Sequence, residues 1–188
     1  MSSHYKIVFA GPVGSGKTTA IGALSDTEVI RTEARASDEV RQLKPTTTVA
    51  MDYGVMKLEN GDAVRLYGAP GQKRFDFMWD ILAENALGLV VLVKADAPEP
   101  EEQLATYVRE FRDLIDRSAL VVGLTHADRG DPAVRPRLER WLAQQGLPPC
   151  VMETDARSRS DVATLVRALL FSIAPFAGID APAPEGAE

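Results

Sequence analysis

Cysteine is nearly missing from this sequence of 188 residues, with Cys150 alone to represent it. A single thiol excludes a disulfide framework within the chain, and its apolar neighbours in an expected strand mark it as a small buried hydrophobe rather than a nucleophile. Positive charge is also short: 21 Lys and Arg stand against 27 Asp and Glu, for a formal net charge of −6. That balance, with no basic run, argues against a nucleic-acid binder and against docking on an anionic membrane surface. No apolar run reaches the length of a bilayer span. Met1-Ser2-Ser3-His4 offers neither a signal-type apolar segment nor the glycine of myristoylation, and Pro184-Glu185-Gly186-Ala187-Glu188 carries no prenylation cysteine. The expectation is a cytoplasmic protein without a lipid anchor. With 45% hydrophobic and 26% charged residues, the composition is that of one soluble domain able to bury a core.

What the sequence does have is Gly11-Pro12-Val13-Gly14-Ser15-Gly16-Lys17-Thr18, a match to G-x-x-x-x-G-K-[ST]. It follows the apolar run Ile7–Ala10 and precedes a helix-compatible segment, the order such a loop requires. The glycines let backbone N–H groups turn inward around phosphate oxygens. Lys17 reaches the terminal phosphates, Thr18 offers a hydroxyl to Mg²⁺, and the following helix aims its positive end at the same place. Residues 11, 13–18 and Thr19 are therefore candidate nucleotide contacts. The alternative is a glycine-rich turn that happens to precede lysine and threonine.

Taken in order, Tyr5–Ala10 is expected as a buried strand and 17–24 as a helix. Residues 25–45 are polar and charged and read as a long functional loop. A strand over 49–58 joins an antiparallel one over 63–67 through Asn60-Gly61, a two-residue hairpin signal. Gly68-Ala69-Pro70-Gly71-Gln72 breaks that strand, and an aromatic-rich helix follows over 74–86. Leu89–Val93 has the unbroken apolar character of a strand covered on both faces. Pro98 and Pro100 open a helix that runs toward Arg112 and Arg117, and a strand over 119–124 comes next. Asp131-Pro132 starts a helix to about Gln145, stopped by Gly146 and Pro148-Pro149. Cys150–Glu153 is the last strand and 161–176 the closing amphipathic helix. Trp141, at helical spacing with Leu138 and Leu142, is expected in the core. The reading is an α/β P-loop NTPase domain over residues 1–178, its six-stranded sheet mostly parallel with one antiparallel edge strand and helices on both faces. Residues 179–188 read as a disordered tail.

After the fifth expected strand stands Thr125-His126-Ala127-Asp128, in the position and shape of [NT]-K-x-D, and after the last stands Thr154-Asp155-Ala156-Arg157, in the place of a short S-A-K-like element. With the phosphate loop, and in that order, these resemble the Ras-like small GTPase superfamily through about residue 176. Within it, Gly68-Ala69-Pro70-Gly71-Gln72 and Thr48-Val49-Ala50-Met51-Asp52 look most like two bacterial branches. These are the Mgl-type gliding-polarity GTPases and the actinobacterial conservon GTP-binding proteins associated with Roadblock/LC7 proteins and sensor kinases. The resemblance implies a GTP/GDP switch that uses Mg²⁺. It makes Thr125, His126 and Asp128 base contacts, with Asp128 accepting from guanine N1–H and its amine. It sets Asp155, Ala156 and Arg157 beside guanine O6. By the same resemblance Thr48 closes on Mg²⁺ and the γ-phosphate, Gly71 binds that phosphate, Gln72 orients the attacking water, and Arg41 and Arg74 are candidates for an arginine finger in cis. For both arginines a solvated loop residue stays the competing reading. The implied partner is a Roadblock/LC7-type activator or effector docking on residues 72–82, where Phe75, Phe77, Met78, Trp79, Ile81 and Leu82 are too many apolar positions for one buried face.

Three departures stand out. Gly68 occupies the place of the metal-site aspartate of D-x-x-G, and Asp52 on the paired strand is the candidate replacement, against a reading in which it faces solvent or an effector. Strict two-residue hairpin register sets Asp52 opposite Ala69, one residue away from Gly68. Val13, where a glycine is common, crowds the catalytic space and predicts slow unaided hydrolysis. His126 replaces lysine and predicts a weaker guanine preference. Two other readings remain open: a nucleotide-loaded scaffold with little hydrolysis, and an ATP-binding P-loop protein.

Overall fold

Strand residues that are apolar on both faces need cover on both faces, and the fold follows from that demand. The computed structural model describes residues 4–35, 48–58, 60–71 and 77–177. In chain order its elements are β1 (His4–Ala10), α1 (Lys17–Leu24), β2 (Ile30–Arg35), β3 (Thr48–Lys57), β4 (Ala63–Gly68), α2 (Phe77–Ala83) and β5 (Gly88–Lys94). There follow α3 (Pro100–Glu110), α4 (Arg112–Arg117), β6 (Leu120–Thr125), α5 (Val134–Gln144), β7 (Val151–Glu153) and α6 (Arg159–Ala177). The sheet order is β2-β3-β4-β1-β5-β6-β7.

Within β1, Ile7 and Phe9 face one layer while Val8 and Ala10 face the other, all fully buried. The first layer packs Ala20, Ile21 and Leu24 of α1 and Val162, Leu165 and Leu169 of α6 on the sheet. The second holds Trp79, Leu104, Tyr107, Phe111, Leu114, Leu138 and Leu142 from the helices opposite. Each fully buried leucine contributes about 1.5–3 kcal/mol, so the two layers together carry the fold. Helix ends are cut by local chemistry. At the end of α5, Gly146 takes φ +70° while Leu147 N–H reaches Leu142 O at 3.0 Å and Gly146 N–H reaches Ala143 O at 3.0 Å, a Schellman closure.

The expected α/β class, with helices on both faces of a mostly parallel sheet, is the one observed. Several details differ. The sheet has seven strands, because Ile30–Arg35, expected as loop, pairs antiparallel with β3 from Ile30↔Tyr53 to Arg35↔Thr48. The reason is that β3 overruns the end of β4 and its first half needs a partner. Charged residues at alternate positions hid that strand from an apolar-pattern reading. The antiparallel strand is β3, and it lies one place in from the edge, which β2 forms.

The hairpin after β3 is also not of the two-residue kind. Leu58 N–H donates to Asp62 O at 2.9 Å and Gly61, at φ +87°, closes the loop with its N–H on Leu58 O at 3.0 Å. A loop of this length shifts the register by one and places Asp52 opposite Gly68. The helix opened by Pro100 breaks at the buried Phe111 into α3 and α4. Cys150 is half-buried just before β7, with burial pushing its thiol pKa up, and Trp141 sits at the margin of the second layer rather than inside it. Among the described residues no helix is long and apolar enough to cross a membrane. The expected tail, 179–188, and residue 178 lie outside the described residues.

Candidate nucleotide-binding site

The described candidates gather along one edge of the sheet, where β1, β4, β6 and β7 end and β3 begins, and where the strand order reverses between β1 and β5. The loop after β1 is held by conformations that need glycine. Gly11 takes φ +144°, and a Cβ there would lie 2.3 Å from Leu92 O and 2.7 Å from Ser15 Oγ. Gly16, at φ +98°, starts α1, and a Cβ on it would lie 2.9 Å from Ala156 Cβ. The phosphate loop therefore packs directly on the last loop of the site.

Polar groups in this loop are left without the partners that burial normally demands. Ser15 is fully buried, yet its Oγ has no hydrogen-bond partner. Helix α1 has neither a side-chain N-cap bond nor an acidic residue in its first turn, which leaves its first N–H groups available. Lys17 Nζ donates to Gly11 O at 2.7 Å and Pro12 O at 2.9 Å, and burial lowers its pKa to about 8 against the opposing pull of Asp52. An inward-facing cation, free helical N–H groups and a buried hydroxyl form a donor set that fits a polyphosphate.

Beside it, the Thr18 hydroxyl donates to the Asp52 carboxylate. A Cβ on Gly68 would meet Asp52 Cβ at 3.1 Å, Asp52 Oδ2 at 3.2 Å and Ile21 Cδ1 at 3.1 Å. A side chain at position 68 and the Asp52 carboxylate thus compete for one space. One hydroxyl and one carboxylate suit Mg²⁺, which binds through few protein oxygens plus phosphates and water. Among the described residues no three His, Cys, Asp or Glu side chains gather as a metal cage.

On the base side, Thr125 is buried, and its Oγ1 donates to Ser15 O at 3.0 Å. That bond ties the end of β6 to the phosphate loop. His126 takes φ +57°, with Nδ1 3.3 Å from Thr125 Oγ1. The Asp128 side chain is 80% exposed, with Arg129 Nε 4.0 Å from its Oδ2. Arg157 forks onto Asp155, Nε to Oδ1 at 2.9 Å and Nη2 to Oδ2 at 2.8 Å, and this pairing holds the Asp155 carboxyl down to about 2. Asp155 N–H in turn donates to Asp161 Oδ2 at 3.1 Å, and Ser158 Oγ donates to Asp161 Oδ1 at 2.8 Å at the start of α6.

Three segments, 14–19, 125–129 and 153–157, line one cavity of about 1120 Å³ together with Asp161. The structure thus brings Gly14, Ser15, Gly16, Lys17, Thr18, Thr19, Thr125, His126, Asp128, Asp155, Ala156 and Arg157 into one space. Gly11, Val13, Asp52 and Gly71 flank it without lining it. Val13 is 66% exposed. Arg41, Gln72 and Arg74 lie outside the described residues, as does the Thr48 side chain, although its backbone opens β3. In the aromatic helix, Trp79 and Leu82 are buried and Ile81 is 57% exposed, while Phe75 lies outside the described residues. Asp161 and the Ser15–Thr125 bond were missed by sequence reading. The Ser158-x-x-Asp161 spacing, a helix-start pattern, is the signal that points to the former; no sequence signal points to the latter.

A family model described as "Conserved hypothetical ATP binding protein" matches residues 26–128. Among curated proteins, intraflagellar transport protein 22 of Chlamydomonas reinhardtii is 25% identical over 152 residues, covering 78% of this chain and 72% of that protein. Its Xenopus tropicalis homolog is 24% identical over 178 residues, covering 89% of this chain and 91% of that protein. Among solved structures, the G domain of the T. maritima FeoB iron transporter superposes with a TM-score of 0.59 at 19% identity, covering 93% of this chain and 99% of that chain. At that identity the likeness is one of fold: a G-domain architecture.

Proposed function

The chain belongs to the family of conserved hypothetical ATP binding proteins, and from the single cavity that joins a phosphate loop to a guanine-type base element we propose that it is a GTP/GDP switch that hydrolyses GTP with Mg²⁺. Lys17, the start of α1 and the Ser15 hydroxyl bind the phosphates, and Asp128 selects the base. Thr18 and Asp52 hold the metal, with Thr48 joining in the triphosphate state. A Mg²⁺ ion held by Thr18 and Asp52 would supply charge neutralisation at the phosphates. Gln72 orients water, and Arg41 or Arg74 supplies a finger.

The observation that carries the metal assignment is the cross-strand exchange, glycine at 68 and carboxylate at 52, in one register pair. Asp52→Ala should bind GDP with its Mg²⁺ dependence lost, and the double variant Asp52→Gly, Gly68→Asp should regain that dependence. Unchanged Mg²⁺ dependence in Asp52→Ala discards this assignment while leaving the nucleotide site standing.

The role is a bacterial signalling or polarity switch of the Mgl or conservon kind, acting in the cytoplasm with a Roadblock/LC7-type partner on residues 72–82 and a sensor-kinase system upstream. The exposed Ile81 supports a docking surface there. Three observations favour other readings. The family description names ATP, and Asp128 is turned toward solvent beside Arg129. The curated relatives are intraflagellar transport proteins, which favours a nucleotide-loaded scaffold. Competition of unlabelled GTP and ATP for labelled GDP separates the first, since equal displacement by both removes the guanine assignment. Phosphate release over many turnovers, with and without a Roadblock-type dimer, separates the second.

A further inference from the structure

The second aromatic layer contains an arrangement that the site described so far does not use. Trp79 of α2 is buried between Tyr107 and Phe111, with ring centroids 5.3 and 5.6 Å away. Its indole Nε1 donates to Pro70 O at 3.0 Å. Tyr107 Oη, from α3, donates to the very next carbonyl, Gly71 O, at 3.4 Å. Two aromatic donors on separate helices thus take hold of consecutive carbonyls in the segment between β4 and α2. Burial raises the Tyr107 pKa to about 12, so the phenol keeps its proton to donate.

The geometry of the peptide unit gives this a consequence. In a trans peptide the N–H points opposite to the preceding C=O. Fixing Pro70 O toward Trp79 therefore turns Gly71 N–H away from Trp79. Gly71 itself lies against the phosphate loop: a Cβ on it would be 2.7 Å from Val13 N, 2.9 Å from Gly11 O and 2.9 Å from Pro12 C. No side chain fits there, and the exposed main chain of residue 71 is what the loop meets.

We propose that Trp79 and Tyr107 are positioning residues that aim the Gly71 N–H at the terminal phosphate of a bound nucleoside triphosphate, so that this clamp counts phosphates. It rests on the nucleotide-site reading above but not on the choice of base. The clamp acts through Gly71 and touches no nucleotide, so it affects the triphosphate and leaves the diphosphate alone. A residue that merely stabilises the fold affects both equally.

The test compares affinity for fluorescent GDP and for the β,γ-imido analogue of GTP in wild type, Trp79→Phe and Tyr107→Phe, with the adenine pair run alongside. Both variants keep a ring in the layer; Tyr107→Phe loses only the donor, while Trp79→Phe loses the donor together with part of the buried indole. In Trp79→Phe, triphosphate binding is expected to weaken about tenfold, one hydrogen bond's worth, with diphosphate binding unchanged. In Tyr107→Phe the longer bond predicts about threefold, in the same sense. Equal weakening of both nucleotides in both variants, or no weakening of either, overturns the clamp. A wild type that binds neither the guanine nor the adenine pair instead overturns the nucleotide-site reading. Because Tyr107→Phe removes one oxygen at a long contact, it carries the test if Trp79→Phe fails to fold.

Discussion

The two ends of the cavity are built from different materials. At the proposed phosphate end the donors come mostly from main chain, positive-φ glycines and free helical N–H groups, joined by the buried, unpartnered Ser15 hydroxyl. At the proposed base end the candidate groups are side chains on exposed loops, with Asp128 80% open to solvent and an Arg157–Asp155 ion pair at the surface. Backbone geometry is rigid and intolerant of substitution. Exposed side chains are adjustable, and their pairings are screened and individually weak. One end should therefore break under small changes and the other should bend.

Gly11→Ala is the sharpest way to break the phosphate end, because the new Cβ meets Leu92 O at 2.3 Å in a backbone at φ +144°. A loss of more than about 3 kcal/mol in urea-unfolding free energy is expected, together with all nucleotide binding. Asp128→Asn tests the other end. Its exposure predicts an unchanged urea midpoint, and GTP affinity should fall about 100-fold while ATP affinity stays level, as titrations of both nucleotides would reveal. Should that substitution unfold the protein, the contrast between the two ends collapses.

Arg157→Ala is a gentler change. It releases Asp155 from the fork that holds it, and GDP affinity is expected to shift by less than about fivefold. The smallest effect is on pH dependence. Asp155, lowered first by Arg157, Asp161, lowered first by the Asp155 N–H, and Asp26, lowered first by the Lys57 N–H, all titrate below their usual 3.8 in the fold. Each adds stability that is present above pH 3.8 and lost as pH falls through its lower folded value. Melting curves should decline only below about pH 4 from this source, and Asp155→Asn should flatten that decline slightly.

The contrast between the ends also explains what could be read before the structure. The phosphate loop announces itself because its backbone shape allows few residues, so Gly11, Gly16, Lys17 and Thr18 form a pattern of contiguous letters. β1, β5 and β6 were legible for a similar reason, since burial on both faces demands unbroken apolar runs. β2 was not, because a charge-rich strand completing the β3 ladder bears no apolar signature. Asp52 could be named as a metal-site candidate but not placed, since its position turns on whether the Asn60-Gly61 loop holds two residues or three. Trp79 and Tyr107 lie 28 positions apart on different helices, and nothing in their local sequence says that they hold neighbouring carbonyls.

By itself the sequence determined the P-loop fold class, the order of most strands and helices, and the glycine-bearing loop after β1, because local conformation and burial periodicity are written in consecutive residues. Only the tertiary structure decided that the carboxylate of position 52 fills the space above Gly68, that Thr125 fastens the base loop to Ser15, and that an aromatic clamp holds residues 70 and 71. These are relations of register and packing between segments far apart in the chain, and they exist only once the sheet has brought those segments together.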